Sequence, residues 1–393
     1  MANALLTPTA VTREILRVAH EKLAFIGTVE RQYDDSFART GAKIGENLKI
    51  RLPNKYTVRT GKALNAQDTS ETSVTLTVAT QKGVDMTFSS AELTMDIDDF
   101  SKRIIQPAMA VLCSSIESSM LSYVTPLVSN HVGTPGTLPT FLEIAKAKGK
   151  LNQSLAPKDD RRYIQMESID MAGMVDALKG LFHDSKEVAK QYREGKVGRS
   201  VGLEWYENER VYAHTNGSDH TTVTVNDSAI ADGDSTITAA GGNFTAGSVF
   251  TFADVYDVHP ETKVAYSSLK QFVTTAAGTT SLAFTPALQS TGANKNCSAL
   301  PANSAAITFV GAASTAYPNH LTYHKEAFAF ATADLDMPSG VDFAAREVYD
   351  GLSIRVVRQY DINNDNFPCR IDILHGYAAI RPEWACRTMG KGS

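Results

Sequence analysis

Cysteine is scarce and unpatterned. The 393-residue chain has four, Cys113, Cys297, Cys369 and Cys386, with no C-x-x-C pair. That argues against a disulfide framework and predicts free thiols of the kind kept in a reducing compartment. Long apolar runs are also missing. No stretch reaches the ~18 uninterrupted apolar residues of a membrane helix. The opening MANALLTPTAVTREIL has neither a basic start nor a long apolar core, so no signal peptide is expected. Positive charge is not in excess: the net charge of −5 argues against a tight general nucleic-acid binder, which needs clustered Lys and Arg. No Walker A loop and no G-x-G-x-x-G occurs. His214 and His220 flank NGSD without a Cys or His partner at zinc spacing and read as surface-loop histidines. Neither a metal nor a cofactor is therefore expected.

What is present is an ordinary 43% of hydrophobic residues, on a chain long enough for two or three domains. The organising stretch runs from Asp96 to Val124. Ile97, Phe100, Ile104, Ala108, Val111 and Leu112 share one helical face, and Ile116, Met120 and Val124 continue it. Asp96, Asp98 and Asp99 suit a helix N-terminus, and Pro107 should kink the rod in its first third. At ~1.5 Å per residue the helix is about 40 Å long, the spine of an elongated subunit. Before it, Thr9 to Ala24 reads as an amphipathic helix with Ile15, Val18, Ala19 and Leu23 on one face, too short to stand alone. From Asn47 to Phe88 the period becomes two. Strands around Ile50 and Val74–Val78 flank the polar YTVRTGKALNAQDTSET, an extended arm with a solvated tip and no local partner for its apolar face.

After the spine, helices over Phe141–Leu151 (Leu142 and Ala145 inward) and Ser168–Phe182 alternate with a strand at Arg162–Met166, and a charge-rich segment spans Asp184–Glu194. From about Thr215 to Ala316 the chain turns rich in Thr, Ser, Ala and Gly. Short β runs at 222–225, 235–238, 249–252, 271–274, 281–284 and 306–309 suggest a small antiparallel barrel or sandwich inserted into a host domain. Strands at 353–360 and 370–376 follow, joined by DINNDNFP.

Three motifs invite chemistry. Gly198-Arg199-Ser200-Val201-Gly202 has the G-x-S-x-G form of a nucleophile elbow, but lacks the apolar strand before it and the packed helix after it. A glycine-rich turn is the better reading, with a serine hydrolase using Ser200 as the rival. Asp361, Asn363 and Asp365 imitate the start of an EF-hand loop, yet the sixth position is Asn366 and the twelfth Asp372. A solvated turn fits better. Trp205-Tyr206-Glu207 and Trp384 read as packing anchors. A secreted Ser/Thr-rich β adhesin is a further alternative, opposed by the missing signal peptide.

The order of these parts resembles the major capsid proteins of tailed phages with the Hong-Kong-ninety-seven fold, and within them the P-twenty-two-type coat protein with its inserted β domain. The likeness is carried by DDFSKRIIQPAMAVL (98–112), FHDSKEVAKQYREGKVGRSVGLEWYEN (182–208), FTAGSVFTFADVYDVHPETK (244–263), HKEAFAFATADL (324–335) and CRIDILHGYAAIRPE (369–383). It implies an α+β subunit with five parts. These are an N-terminal arm (1–45), an extended β-arm (46–90), a peripheral domain with the spine (91–130, 350–376), an axial domain (131–216, 319–349, 377–393) and the inserted barrel (217–318). It implies a non-enzymatic shell protein, assembled in the bacterial cytoplasm through hexamers and pentamers into an icosahedral virion shell around double-stranded DNA that it does not bind specifically. Scaffolding and portal proteins are the implied partners, and a decoration protein is left open. Tyr56, Arg59, Lys62, Asp68 and Glu71 on the β-arm, with Ile15 and Val18 on the N-terminal helix, are the expected intersubunit contacts. The fold's founding member cross-links a Lys to an Asn. Lys62, Asn363, Asn364 and Asn366 are present here, but the type resembled does not cross-link.

Overall fold

The computed structural model describes residues 8–31, 46–64, 66–67, 71–89, 105–178, 198–218, 220, 222–349, 351–364 and 366–391. In chain order the elements begin with α1 (Pro8–Lys22), β1 (Glu46–Arg51), β2 (Ser73–Val78), β3 (Thr80–Ser89), α2 (Gln106–Val124) and α3 (Phe141–Gln153). Next come β4 (Arg162–Met166), α4 (Ser168–Leu178), β5 (Arg199–Ser200), β6 (Leu203–Glu207) and β7 (Ala213–Thr215). The middle of the chain holds β8 (Thr224–Val225), β9 (Thr236–Ala240), β10 (Val249–Val258), β11 (Ala265–Thr274), β12 (Ser281–Thr285) and β13 (Ile307–Phe309). The last are β14 (Ala316–His324), β15 (Phe328–Ala333), β16 (Phe343–Tyr349), β17 (Leu352–Arg358), β18 (Asn366–Ala379) and β19 (Ala385–Met389).

These form two compact units, one of 1–50, 73–120 and 328–380, the other of 51–72, 121–327 and 381–393. The first is built on β18. On one edge β3 pairs with it over Asn366–His375, and on the other β17 and β15 lie end to end. β16 completes the sheet beyond β17. Ile371, Ile373, Leu374 and His375 are consecutive or nearly so and all buried, because β18 is covered on both faces. Residues 328–349, expected in the axial domain, fall in this unit, since β15 and β16 belong to its sheet.

The spine is described from Gln106, with Pro107 in the first turn, where its missing N–H breaks no helical bond. The segment of the expected helix before Ile105, with Asp96, Ile97 and Phe100, lies outside the described residues, as does Asp184–Glu194. Met109, Leu112, Cys113, Ile116 and Met120 are buried, whereas Val111, expected inward, is 66% exposed. Leu112, Ile116, Met120 and Val124 of the expected stripe are buried, and Met109 and Cys113 join them in place of Val111.

The second unit carries a sheet in the order β19-β14-β4-β6-β5, with β4 and β6 parallel. Helix α3 starts on a capping box, Thr140 with Glu143. It buries Ile144, Ala147 and Leu151 and leaves Leu142 61% exposed, the reverse of the expected face. Ile144 joins Ile164, Met166, Met171, Met174, Leu203 and Trp205 in one core. The inserted block is a six-stranded sheet, β13-β10-β11-β12-β9-β8, nearly closed by a bridge between Thr224 and Ala306. Its own core includes Phe244, Phe250, Phe252, Phe272, Phe284 and Phe309. It enters and leaves through neighbouring strands, because β7 pairs with the first residues of β14, Thr215 opposite Ala316.

Candidate functional site

The β-arm has a buried root and an exposed tip. Its root is anchored. β1 pairs with β2, and Ile50, Leu76 and Val78 are buried, contributing about 1.5–3 kcal/mol apiece. The expected wet apolar face is thus covered by the chain's own β18 and β15. Gly376 makes the crossing: a Cβ there would stand 2.2 Å from the Thr77 carbonyl oxygen, so β2 passes directly over the β18 backbone. The strand after β2 was not read from the sequence. β3 carries Lys82, whose Nζ donates to the Ser115 carbonyl at 3.0 Å, Ser115 Oγ at 2.9 Å and Ser119 Oγ at 2.6 Å on the spine. Burial pulls the Lys82 ammonium below its ordinary range.

Beside it sits Asp372, fully buried on β18. Burial pushes its carboxyl up, but hydrogen bonds from Arg355 (2.7 Å) and Arg370 (3.0 Å) and from Gln81 outweigh that and hold it below the usual range. Such a charge is tolerated only because both guanidiniums satisfy it.

The tip is different. Past the Arg51–Glu71 ion pair at 3.0 Å and the Leu52 N–H bond to the Thr72 carbonyl, no strand forms among the described residues. Gln67 pinches the loop: its side-chain oxygen accepts the Thr57 N–H at 2.8 Å and its amide donates to the Thr57 carbonyl at 2.6 Å. Outside this pinch Tyr56 is 58%, Val58 97% and Leu64 86% exposed. Arg59 and Lys62 are exposed beside them, and Asp68 lies outside the described residues. Val58 and Leu64 were missed as contact candidates. Their signal was apolar character inside a polar segment that no local core could cover.

The N-terminal helix overturns an expectation. Ile15 and Val18 are each 1% exposed, packed with α1 against β16 and β17 of their own unit. They are core residues and offer no surface to a neighbour. The chain after α1 is tied down as well. Buried Glu117 on the spine accepts the Phe25 N–H, Phe25 meets the Phe328 ring at 6.0 Å, and Glu30 adds a short bridge to Ala329.

The motif at Ser200 is a hairpin. Arg199 and Ser200 pair with Glu204 and Leu203, and Val201 (φ 56°) and Gly202 (φ 69°) form the left-handed two-residue turn. A strand–turn–strand cannot present a serine as an elbow does. The Asp361 loop is a solvated turn in which the carboxylate accepts the Asn363 N–H at 3.0 Å and the Asn364 amide at 2.7 Å. His214 is not a surface residue: it is 1% exposed, its Nε2 3.1 Å from Ser248 Oγ. The four cysteines are buried and none is in a disulfide. Trp205 and Trp384 are the packing anchors expected, Trp384 donating to the Ser154 carbonyl at 2.9 Å. No group of three or more metal-ligating side chains occurs among the described residues.

No curated protein matches the chain. Among solved structures it is similar to one titled Mycobacterium phage Che8, with 12% identity, TM-score 0.46, and 94% of this chain and 92% of that one covered. The capsid of Ralstonia phage GP4 gives 6% identity and TM-score 0.47, with 93% and 87% covered. The CUS-3 coat protein I-domain aligns with 24% of this chain and 97% of its own length at 26% identity and TM-score 0.20. The family model described as P22 coat protein, gene protein 5, matches residues 3–390. With that match over nearly its whole length, the chain belongs to the P22 coat protein family and is a major capsid protein of a tailed-phage head.

Proposed function

We propose that the chain assembles through hexamers and pentamers into a closed icosahedral shell around double-stranded DNA, and that the tip of the β-arm is the clasp between neighbouring subunits. The observation that carries this is the tip itself: Tyr56, Val58 and Leu64 stand in solvent on a loop whose root, at Ile50, Leu76 and Val78, is buried. Burying about 400 Å² of apolar surface on a neighbour would contribute about 10 kcal/mol gross. Ordering the loop and docking offset most of that, leaving a few kcal/mol per contact, repeated around the shell. Arg59, Lys62 and Glu71 supply the charged rim of such a contact. A scaffolding protein guides assembly in the host cytoplasm, and a portal occupies one vertex. The slightly negative subunit lets DNA fill the shell without adhering to its wall.

Replacing residues 57–71 with a short Gly-Ser turn tests the clasp. Circular dichroism should stay unchanged, because the buried root lies outside the replacement, and sedimentation should show closed shells lost or weakened. Shells of normal yield and stability would rule the clasp out.

A further inference from the structure

The seam between the barrel and the β19 sheet holds a charge that no carboxylate among the described residues pairs with. Arg387 lies on β19 and is fully buried. Its backbone is fixed by the Arg387 N–H bond to the Asn130 carbonyl at 2.8 Å and the Val132 N–H bond to the Arg387 carbonyl at 3.0 Å. One arm of its guanidinium crosses the seam, Nη1 donating to the Gly247 carbonyl just before β10 at 2.9 Å. Nε and Nη2 have no hydrogen-bond partner among the described residues. Beside it His131, bridged to Arg387 in parallel register, is 5% exposed, and its Nε2 also lacks a partner.

The surrounding titratable groups make the imbalance worse. Those that act on or respond to Arg387 are His131, His214, Tyr212 and Cys386, and no carboxylate is among them. Burial and then the Arg387 charge drive His131 down to about 3 and His214 down to about 4, so both are neutral at pH 7. Burial drives the Cys386 thiol up to about 12, so it supplies no negative charge. Burial draws Arg387 itself down to about 9, which leaves it protonated at neutral pH. An enclosed cation with two unused donors is among the costliest arrangements in a protein unless something pairs with it.

We propose that Arg387 Nε and Nη2, with His131 at their side, form a buried binding site for a small monatomic anion of the chloride class, which completes the lock between barrel and sheet. The enclosure excludes a phosphate ester or a neighbouring subunit's side chain, since Arg387 has no exposed surface. Nε–H and Nη2–H lie on one edge of the planar guanidinium, so both can point at a single acceptor. The site acts beside the direct links across the same seam, the paired bonds between Gln271 and the His131 backbone at 2.9 Å each.

The test uses the full-length chain. Thermal melts are run at constant ionic strength while gluconate is exchanged for chloride from about 10 mM to about 300 mM, a range over which a bound ion stabilises by mass action. Wild type should gain a few degrees as chloride rises. R387M, which keeps the length and removes the charge, should show no chloride dependence. Equal melts of the wild type in gluconate and chloride would overturn the proposal, and so would the same chloride dependence in R387M. Should R387M fail to fold, wild-type crystals grown in bromide decide the matter. An anomalous peak within hydrogen-bonding distance of Nε and Nη2 supports the site, and its absence rejects it.

Discussion

A single hydrogen atom at Gly376 sets where the arm meets the sheet. A Cβ at this position would stand 2.2 Å from the Thr77 carbonyl oxygen and 2.9 Å from the Val78 Cα, both backbone atoms that no rotamer change can move aside. Gly376→Ala should therefore lift β2 from β18 and cost about 2 kcal/mol or more, as overpacking does. Urea unfolding should show the loss, and exchange of the Leu76 and Val78 amides should quicken. Unchanged stability would mean that the backbone yields at no cost. At this scale the sequence was legible where chemistry is local. The G-x-S-x-G glycines and the Asp361 turn were read correctly because their geometry depends on their immediate neighbours. Ile15 and Val18 were misplaced for the opposite reason: an amphipathic stripe says which residues seek cover, and not whether the cover comes from the same chain. Val111 is the one departure on α2, whose Leu112, Ile116, Met120 and Val124 are buried as expected, whereas on α3 the face of Leu142 turns outward and Ile144, Ala147 and Leu151 are buried instead.

Among the elements, the inserted barrel was the easiest to foresee and β3 the hardest. The barrel strands announce themselves by alternation and glycine turns, and each expected run contains or lies within an observed strand or overlaps one closely. β3 reads TQKGVDMTFS, with Lys82, Gly83 and Asp85 where a strand would carry apolar residues. Its pairing is imposed by β18, and Gly83 is needed because a Cβ there would meet Asp372 Oδ1 at 2.5 Å. The barrel's phenylalanine core is its own, so the excised segment 217–318 should fold. Dispersed amide NMR signals and a cooperative melt are expected, at reduced stability because Val249 and Val273 lose their packing against Met389. A disordered spectrum would show that the host sheet is required.

For the whole molecule, three buried histidines set the response to acid. Burial first holds His131 down to about 3 and His214 and His375 down to about 4, while an unfolded chain protonates them near their ordinary 6.5. Between those values the unfolded state binds more protons, so each histidine removes about 1.4 kcal/mol of stability per unit of falling pH. Asp372 adds to the loss only at lower pH, because its contribution is full above the unfolded carboxylate value and disappears as pH drops through its depressed one. Unfolding by urea should thus be nearly independent of pH between about 7 and about 8 and steeply weaker from about pH 6 to about pH 4. H375Q should flatten that slope, and a chain equally stable at both ends of the window would contradict the assignment. The overall architecture was legible from the order of segments. What it could not show was that the N-terminal helix and the arm root are held within one unit.

The barrel's attachment has a consequence for how such chains diversify. Thr215 and Ala316 face each other as neighbours on adjacent strands, about 5 Å apart across the sheet. The barrel is therefore a passenger spliced into a hairpin: cut there, the host needs only a two-residue turn to close. A coding segment can enter or leave at that junction without shifting the register of any strand of the host sheet. The same junction would accept a foreign domain whose ends lie equally close, repeated once per subunit over an entire shell. The seam residues, Arg387 foremost, would have to change with it, since their bonds across the seam go to this passenger's Gly247 and Gln271.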